Sequence, residues 1–194
     1  MILASQSKPR QKILLTLGIK AELLPTDVDE TFDESLRPEE IVMDISRRKA
    51  EKAAEIVQSP PNTLIIAADT MVVYNNIVIG KPTDEADAFN TLSMLSGNTH
   101  EVYSGLTLVL NNKTFSDYGV TRVNFREISQ EEIKAYIDLG EPFTKAGSYG
   151  AESAAAAFIE SIEGDFFNIV GLPVNKFAYM LKNIFGKTVF DIKI

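Results

Sequence analysis

The sequence predicts a mixed α/β domain, on three observations. A short apolar segment, Met1-Ile-Leu-Ala4, is followed by a polar loop and then by helical spacing at Ile13, Leu14 and Leu17. A run from Leu64 to Tyr74, almost wholly suited to the inside of a sheet, leads through Asn75-Asn76 into a second run at Ile77–Ile79, which is a hairpin pattern. Between them, residues 38–57 carry Ile41, Val42, Ile45, Ala53 and Ile56 on one stripe at 100° per residue, the mark of a long amphipathic helix.

The elements follow in order. Pro9 suits the first helical position, where its missing N–H costs nothing, and Gly18 ends that helix. The preceding loop, Ser5-Gln-Ser7-Lys8-Pro9-Arg10, puts two hydroxyls and two cations at a helix N-terminus. Free N–H groups and the helix dipole make such a place a natural phosphate site, although Ser7 also serves as a simple N-cap. Residues 21–26 read as a second strand. Asp27-Val-Asp29-Glu30-Thr-Phe-Asp33-Glu34 then holds five acids in eight positions, either a solvated loop or a source of hard oxygens for Mg²⁺ or Mn²⁺. On the long helix Lys49 falls in the centre of the apolar stripe and Lys52 at its edge, while Arg47, Arg48, Glu51 and Glu55 fall outside it as solvent-facing charges. A central lysine is expected to reach through the packed face to a polar group.

Asp69 interrupts the Leu64–Tyr74 run. A carboxylate surrounded by apolar residues protonates or finds a cation, so it implies a metal, a lysine or backbone N–H groups as partner. The hairpin returns Gly80-Lys81-Pro82 toward it, which offers Lys81, whether as a structural ion pair or as part of a site. Thr83 reads as the N-cap of a helix over 84–95, broken at Ser96-Gly97-Asn98. Residues 99–110, an Asn111-Asn112 turn and 114–126 read as a long antiparallel hairpin whose loose alternation implies cover on both faces of one part. His100 within it reads as a hydrogen-bonded structural residue before a ligand or base. Ser129-Gln-Glu-Glu132 is a capping box for a helix to Leu139, with Gly140 and Pro142 as stops. Lys145-Ala-Gly147-Ser-Tyr149-Gly150-Ala-Glu152-Ser153 reads as a substrate-binding loop or an ordered connection, 154–162 as a strand, Gly171-Leu-Pro173 as the start of a last amphipathic helix, and 188–192 as a closing strand.

Totals narrow the function. With 194 residues, 45% hydrophobic and 24% charged, the chain suits a single domain over 1–194, with room for two lobes. A net charge of −8 argues against nucleic acid as partner, since duplex binding relies on excess Lys and Arg. No apolar run approaches a membrane span and the N-terminus lacks a signal-peptide pattern, so the expectation is a cytoplasmic protein without a membrane partner. The absence of cysteine removes thiol chemistry and zinc–thiolate sites, and a lone histidine removes multi-histidine metal sites. No Gly-x-x-x-x-Gly-Lys-Ser/Thr occurs, which removes a P-loop.

Six segments taken together resemble the Maf family of nucleoside triphosphate pyrophosphatases, also described as septum-formation-inhibitor-like proteins. They are Leu3-Ala-Ser-x-Ser7-x-x-Arg10, Val28-x-Glu30, Arg48-Lys49-Ala50, Ala68-Asp69-Thr70 with Gly80-Lys81-Pro82, Ser96-Gly-x-Thr-His100, and Lys145-Ala-Gly-x-Tyr149-Gly150 with Val170-Gly-Leu-Pro173. They stand in family order over most of the chain. The resemblance implies an elongated mixed sheet flanked by helices around a central cleft, as in inosine triphosphate pyrophosphatases. It implies metal-dependent cleavage of the α–β phosphate bond of a nucleoside triphosphate, a house-cleaning activity, and at family level a homodimer. Asp69 matches the family's catalytic proton acceptor and shares metal binding with Glu30; Ser5, Ser7, Arg10, Lys49, Lys81 and Lys145 match substrate-binding positions. Base choice is mixed. Thr70 matches the branch acting on dTTP and UTP, which usually has Arg at the position of Pro9 and Gln at that of Glu152; Glu152 itself is closer to the branch acting on 7-methyl-GTP. A carboxylate only accepts hydrogen bonds, so Glu152 suits a base edge that presents N–H donors. The balance leans to pyrimidine triphosphates, with modified nucleotides open. A rival reading is a non-enzymatic nucleotide-binding regulator of cell division.

Overall fold

The computed structural model describes residues 1–58, 62–111 and 113–192. Its elements are β1 (Ile2–Leu3), α1 (Lys8–Thr16), β2 (Glu22–Leu23), α2 (Pro38–Ile56), β3 (Ile65–Tyr74), β4 (Ile77–Ile79), α3 (Glu85–Leu95), β5 (Thr99–Leu110), β6 (Lys113–Phe125), α4 (Gln130–Ile137), β7 (Ile159–Glu163), α5 (Phe166–Val170) and α6 (Val174–Phe185), with 3₁₀ turns between α4 and β7. The strands form a seven-stranded mixed sheet in the order β2-β1-β3-β5-β6-β7, with β4 paired on β3. The fold is therefore mixed α/β with helices flanking a mixed sheet, as the sequence predicts. No helix among the described residues is long and apolar enough to cross a membrane.

The chain divides into two compact units. The first comprises residues 1–69, 104–119 and 171–194; the second comprises 70–103 and 120–170. In the first, β1 pairs in parallel with β2 (Ile2 with Glu22) and with β3 (Ile2 with Ile65), so the polar loop after β1 opens at the strand's carboxyl end. The buried cluster Ile2, Ala4, Ala50, Ala53, Ile65, Ala67 and Val109 joins α2 to this part of the sheet. Gly105 permits the close approach: a Cβ there would collide with the Val42 carbonyl, so any side chain would push α2 off β5. Beside it Ser46 and Thr107, both fully buried, share a hydrogen bond of 2.9 Å, and Thr107 meets Ser116 at 2.8 Å, which satisfies the hydroxyls that close packing strips of water.

In the second unit β4 folds back antiparallel on β3, with Val72 opposite Ile79 and Tyr74 opposite Ile77. Asn75 and Asn76, at φ 50° and 63°, make the two-residue turn that needs left-handed backbone at both positions. The core here runs through Val72, Leu92, Val102, Val123, Phe125, Ile133, Tyr149 and Phe158. His100, Phe125, Tyr149, Phe158 and Tyr136 form a chain of edge-to-face contacts, with centroids 4.8–6.1 Å apart.

Several expectations are corrected. Pro9 is the second residue of α1, not the first, because Ser7 is the cap and Lys8 opens the helix. The strand read over 21–26 shrinks to Glu22–Leu23, with Pro25 close behind. Ile56 lies on the last turn of α2 and is half exposed, so the stripe ends at Ala53. Asp84, not Thr83, caps α3: its carboxylate accepts the Asp87 N–H, while Thr83 donates to the Asp87 carboxylate. The capping box at Ser129 and Glu132 is present, but α4 stops at Ile137. Ala154–Phe158 coil as a 3₁₀ helix before the strand begins, since a run of alanines lacks the β-branched bulk that favours a sheet. Residues 188–192 form turns, closed by the Asp191 carboxylate accepting the Thr188 N–H and hydroxyl, rather than a strand. The Asn112 half of the predicted Asn111-Asn112 turn lies outside the described residues. The continuous burial of Ser104–Val109 bears out the expectation that part of that hairpin is covered on both faces.

Candidate active site

In the first unit the polar loop is tied to the start of α1 and the acidic loop to the middle of α2. The Ser5 hydroxyl accepts the Ser7 N–H at 3.0 Å and the Ser7 hydroxyl accepts the Arg10 N–H at 3.4 Å, which winds the chain into α1. Arg10 turns back from the first turn of that helix. Its Nε donates to the Gly171 carbonyl at 2.7 Å and its Nη1 to the Ser5 hydroxyl at 3.4 Å. Burial pushes its guanidinium below the usual value, and the charges of Asp69 and Glu30 push it back up. Arg10 thus belongs to the same electrostatic neighbourhood as the two carboxylates.

The centre of that neighbourhood is Lys49. It is 8% exposed, yet its ammonium lies 2.6 Å from Glu30 Oε1 and 2.7 Å from Asp69 Oδ1. The helix explains the reach: a lysine in the middle of the packed stripe of α2 has no route to water except along its own stem. The strand explains the partner. Residues 65–68 are buried and 71–73 are buried, while Asp69 and Thr70 alone in that stretch are half-buried, so the sheet surface opens where the carboxylate sits. Asp69 finds a cation, but it is Lys49 from α2 and not the Lys81 that the hairpin pattern offers.

The acidic loop contributes Glu30 from backbone that is neither helix nor strand. The Asp29 carboxylate accepts the Thr31 N–H at 2.8 Å, and this bond holds Asp29 below the usual carboxylate range. Arg48, expected to face solvent like Arg47, does not. Its guanidinium donates to the carbonyls of Asp29 and Thr31, the residues on either side of Glu30, and pairs with the Asp44 carboxylate at 3.0 Å. Sequence reasoning missed this role because the position lies outside the apolar stripe. The one available signal was its place in the Arg48-Lys49-Ala50 segment.

Glu30 and Asp69 both place a carboxylate oxygen on the Lys49 ammonium, and in kind these two hard oxygens fit the donor set of Mg²⁺ or Mn²⁺: one or two carboxylates, with phosphate oxygens and water for the remainder. Among the described residues no group of three or more His, Cys, Asp or Glu forms a protein-only cage. The site fits a cation completed by a substrate.

Four other predicted residues, Thr70, Lys81, Lys145 and Glu152, belong to the second unit. Thr70 follows Asp69 on β3, and Lys81 follows β4 and is exposed. The neighbouring Gly80 carbonyl accepts the Gly147 N–H at 3.0 Å. Gly147 has φ 69°, and a Cβ there would lie 2.8 Å from Val72. Two residues along, Tyr149 is buried and its hydroxyl meets His100 Nε2 at 2.7 Å. Burial lowers the His100 pKa to about 4 and raises that of Tyr149, which fits the expected structural, hydrogen-bonded histidine. Lys145 and Glu152 pair at 2.5 Å with their side chains about a quarter exposed (26% and 25%), and both crowd Gly150, where a Cβ would meet Lys145 Nζ, Glu152 Oε2 and Ser153 Oγ at 3.1 Å each. Pro9 lies in the first unit, on α1.

The chain is similar to known proteins over most of its length. The family model described as Maf-like protein matches residues 1–184. A dTTP/UTP pyrophosphatase of Bacillus cereus is 40% identical over 182 residues, 94% of each chain. Proteins of the same name from Bacillus thuringiensis subsp. konkukian and Bacillus anthracis are 39% and 38% identical, again over 94% of each chain. Among solved structures, the Ham1 protein of Staphylococcus aureus aligns over 64% of this chain and 70% of its own, at 13% identity and a TM-score of 0.41, a likeness too slight to carry an argument.

Proposed function

The chain belongs to the Maf-like protein family, and on that premise we propose that it is a nucleoside triphosphate pyrophosphatase acting on dTTP and UTP. The observation that carries the reading is the convergence of Lys49, Asp69 and Glu30: a cation on a packed helix lies within 2.7 Å of two carboxylates, one on a strand and one on a loop. Water adds to the α-phosphorus, the bond from that phosphorus to the bridging oxygen breaks, and pyrophosphate leaves with the bond's electron pair. The products are the nucleoside monophosphate and pyrophosphate.

Each residue has a part in this reaction. Asp69 Oδ1 orients the attacking water and accepts its proton. Lys49, held between Asp69 and Glu30, stabilises the negative charge that builds on the phosphate oxygens in the transition state. Ser5, Ser7 and Arg10 bind phosphate at the N-terminus of α1, where hydroxyls, N–H groups and the dipole all favour an anion. Lys81 and Lys145 supply further positive charge to the triphosphate. Glu30 and Asp69 would hold a divalent cation, Mg²⁺ or Mn²⁺, which when bound neutralises the phosphate charge and polarises the scissile linkage.

For base choice, the name shared by the relatives supports pyrimidines, as does Thr70. Glu152, tied to Lys145, would accept from a base edge with N–H donors, and Pro9 is the third position assigned to base choice. Pyrophosphate release measured with Mg²⁺ or Mn²⁺ across dTTP, UTP, CTP, dGTP and 7-methyl-GTP tests the proposal. The expected result is turnover led by dTTP and UTP. Binding without release from any nucleotide would contradict it and revive a purely regulatory role.

A further inference from the structure

The loop that carries Glu30 has no regular structure, yet the proposed chemistry needs its carboxylate fixed against Asp69 and Lys49. Three contacts pin the loop on either side of Glu30. The Asp29 carboxylate accepts the Thr31 N–H, and the two ends of the Arg48 guanidinium donate to the carbonyls of Asp29 and Thr31. Arg48 Nε also lies 3.0 Å from the Asp44 carboxylate, one turn earlier on α2, as an ion pair that is not aligned as a hydrogen bond, and its side chain is only 26% exposed. Its neighbour Lys49 takes the Glu30 carboxylate at 2.6 Å. Two consecutive residues of one helix therefore hold the loop, one by its backbone and one by its reacting side chain.

Given the role of Glu30 proposed above, we infer that Arg48 is a positioning residue: it clamps the backbone on both sides of Glu30 and so sets the carboxylate opposite Asp69. The planar fork of guanidinium suits two carbonyls two residues apart, whereas a lysine reaches one. With its donors directed to carbonyls and its other edge to Asp44, Arg48 acts through Glu30 and does not itself meet phosphate. Its geometry matches that of groups that orient a ligand from one layer out, whose loss commonly lowers metal affinity or activity about tenfold to a hundredfold.

The test is a double-mutant cycle with Arg48→Ala and Glu30→Gln, singly and together, read as kcat/KM for pyrophosphate release from dTTP. A parallel titration of each folded variant with Mn²⁺ alone follows the free ion by electron paramagnetic resonance. Arg48→Ala is expected to lower kcat/KM about tenfold to a hundredfold and to weaken Mn²⁺ binding, and the double variant to be no worse than Glu30→Gln alone. Arg48→Lys, which keeps the charge and the Asp44 pair, is expected to restore only part of the loss, and it serves for the cycle if the alanine variant fails to fold. Multiplying losses in the double variant, or unchanged kinetics and Mn²⁺ affinity on loss of Arg48, would overturn the positioning role while leaving the site intact. Full activity in Glu30→Gln would overturn the reading of Glu30 itself and, with it, the role of Arg48.

Discussion

Two lysine–carboxylate groups serve the molecule in opposite ways. Lys49 is buried, comes from a packed helix and is held by two carboxylates, one on a strand and one on a clamped loop. Lys145 comes from a loop between 3₁₀ turns, meets the single carboxylate of Glu152 and keeps about a quarter of its side chain in water. Burial raises the strength of a charge interaction and the penalty for misplacing it. A fixed cluster like the first suits a reaction whose charge develops at one place. A partly exposed pair like the second is screened and adjustable, as suits the discrimination of one base from another. On the proposed function, Lys49 and its carboxylates govern the rate, while Glu152 of the second pair bears on the choice of base.

The largest effect that would break this contrast is at Lys49. Lys49→Ala is expected to lower turnover about a hundredfold to a thousandfold, as loss of one preorganised electrostatic group does, for every nucleotide alike. Steady-state kinetics on dTTP and UTP checks this; a variant that merely changed nucleotide preference would erase the distinction.

Beneath the Lys145 loop the relevant quantity is stability. His100 is buried against Tyr149 and Phe125, with its pKa depressed from 6.5 to about 4. The folded state therefore binds fewer protons than the unfolded state in that window. The contribution is fully present above pH 6.5 and is lost progressively toward pH 4, by roughly 3 kcal/mol in all. Urea denaturation of wild type and His100→Gln at pH 7.5 and 4.5 is expected to show the gap between them closing as the pH falls. A constant gap would mean that His100 is not held neutral.

Smaller still is the effect at the adjustable pair. Glu152→Gln gives the base edge a donor as well as an acceptor. It is expected to change the ratio of dTTP to 7-methyl-GTP turnover by about tenfold, the worth of one altered hydrogen bond, and to leave the rate on the better substrate within that range. A uniform loss across nucleotides would place Glu152 with the rate-determining group instead.

How much of this was legible in the sequence follows the range of the forces involved. The long helix, the β3–β4 hairpin and the capping box at Ser129 declare themselves through local periodicity and turn chemistry, and the structure contains them. Lys49 stood out because a charge in an apolar stripe violates the local pattern, as Asp69 did in an apolar run. That each is the other's partner was not legible, since 20 residues separate them and only the packing of α2 on the sheet brings them together. Arg48 violated no pattern, because a charge outside the stripe is ordinary; its two carbonyl partners lie 17 and 19 residues away in a loop without periodicity. The strand predicted over 154–162 is present only from Ile159, because the alanine run before it lacks β-branched bulk. The strand predicted over 188–192 is replaced by turns that the Asp191 carboxylate closes on Thr188.

The central claim rests on the Asp69 carboxylate, and its most direct test is the rate of pyrophosphate release from dTTP by Asp69→Asn beside wild type, at saturating Mg²⁺ and nucleotide. The substitution keeps size and shape while removing the charge that faces Lys49 and that, on the proposed function, accepts the proton. A fall of about a thousandfold or more, with the thermal midpoint retained, is the predicted result. Turnover within a fewfold of wild type would contradict the account, since the carboxylate at the centre of the cluster would then be taking no part in the reaction.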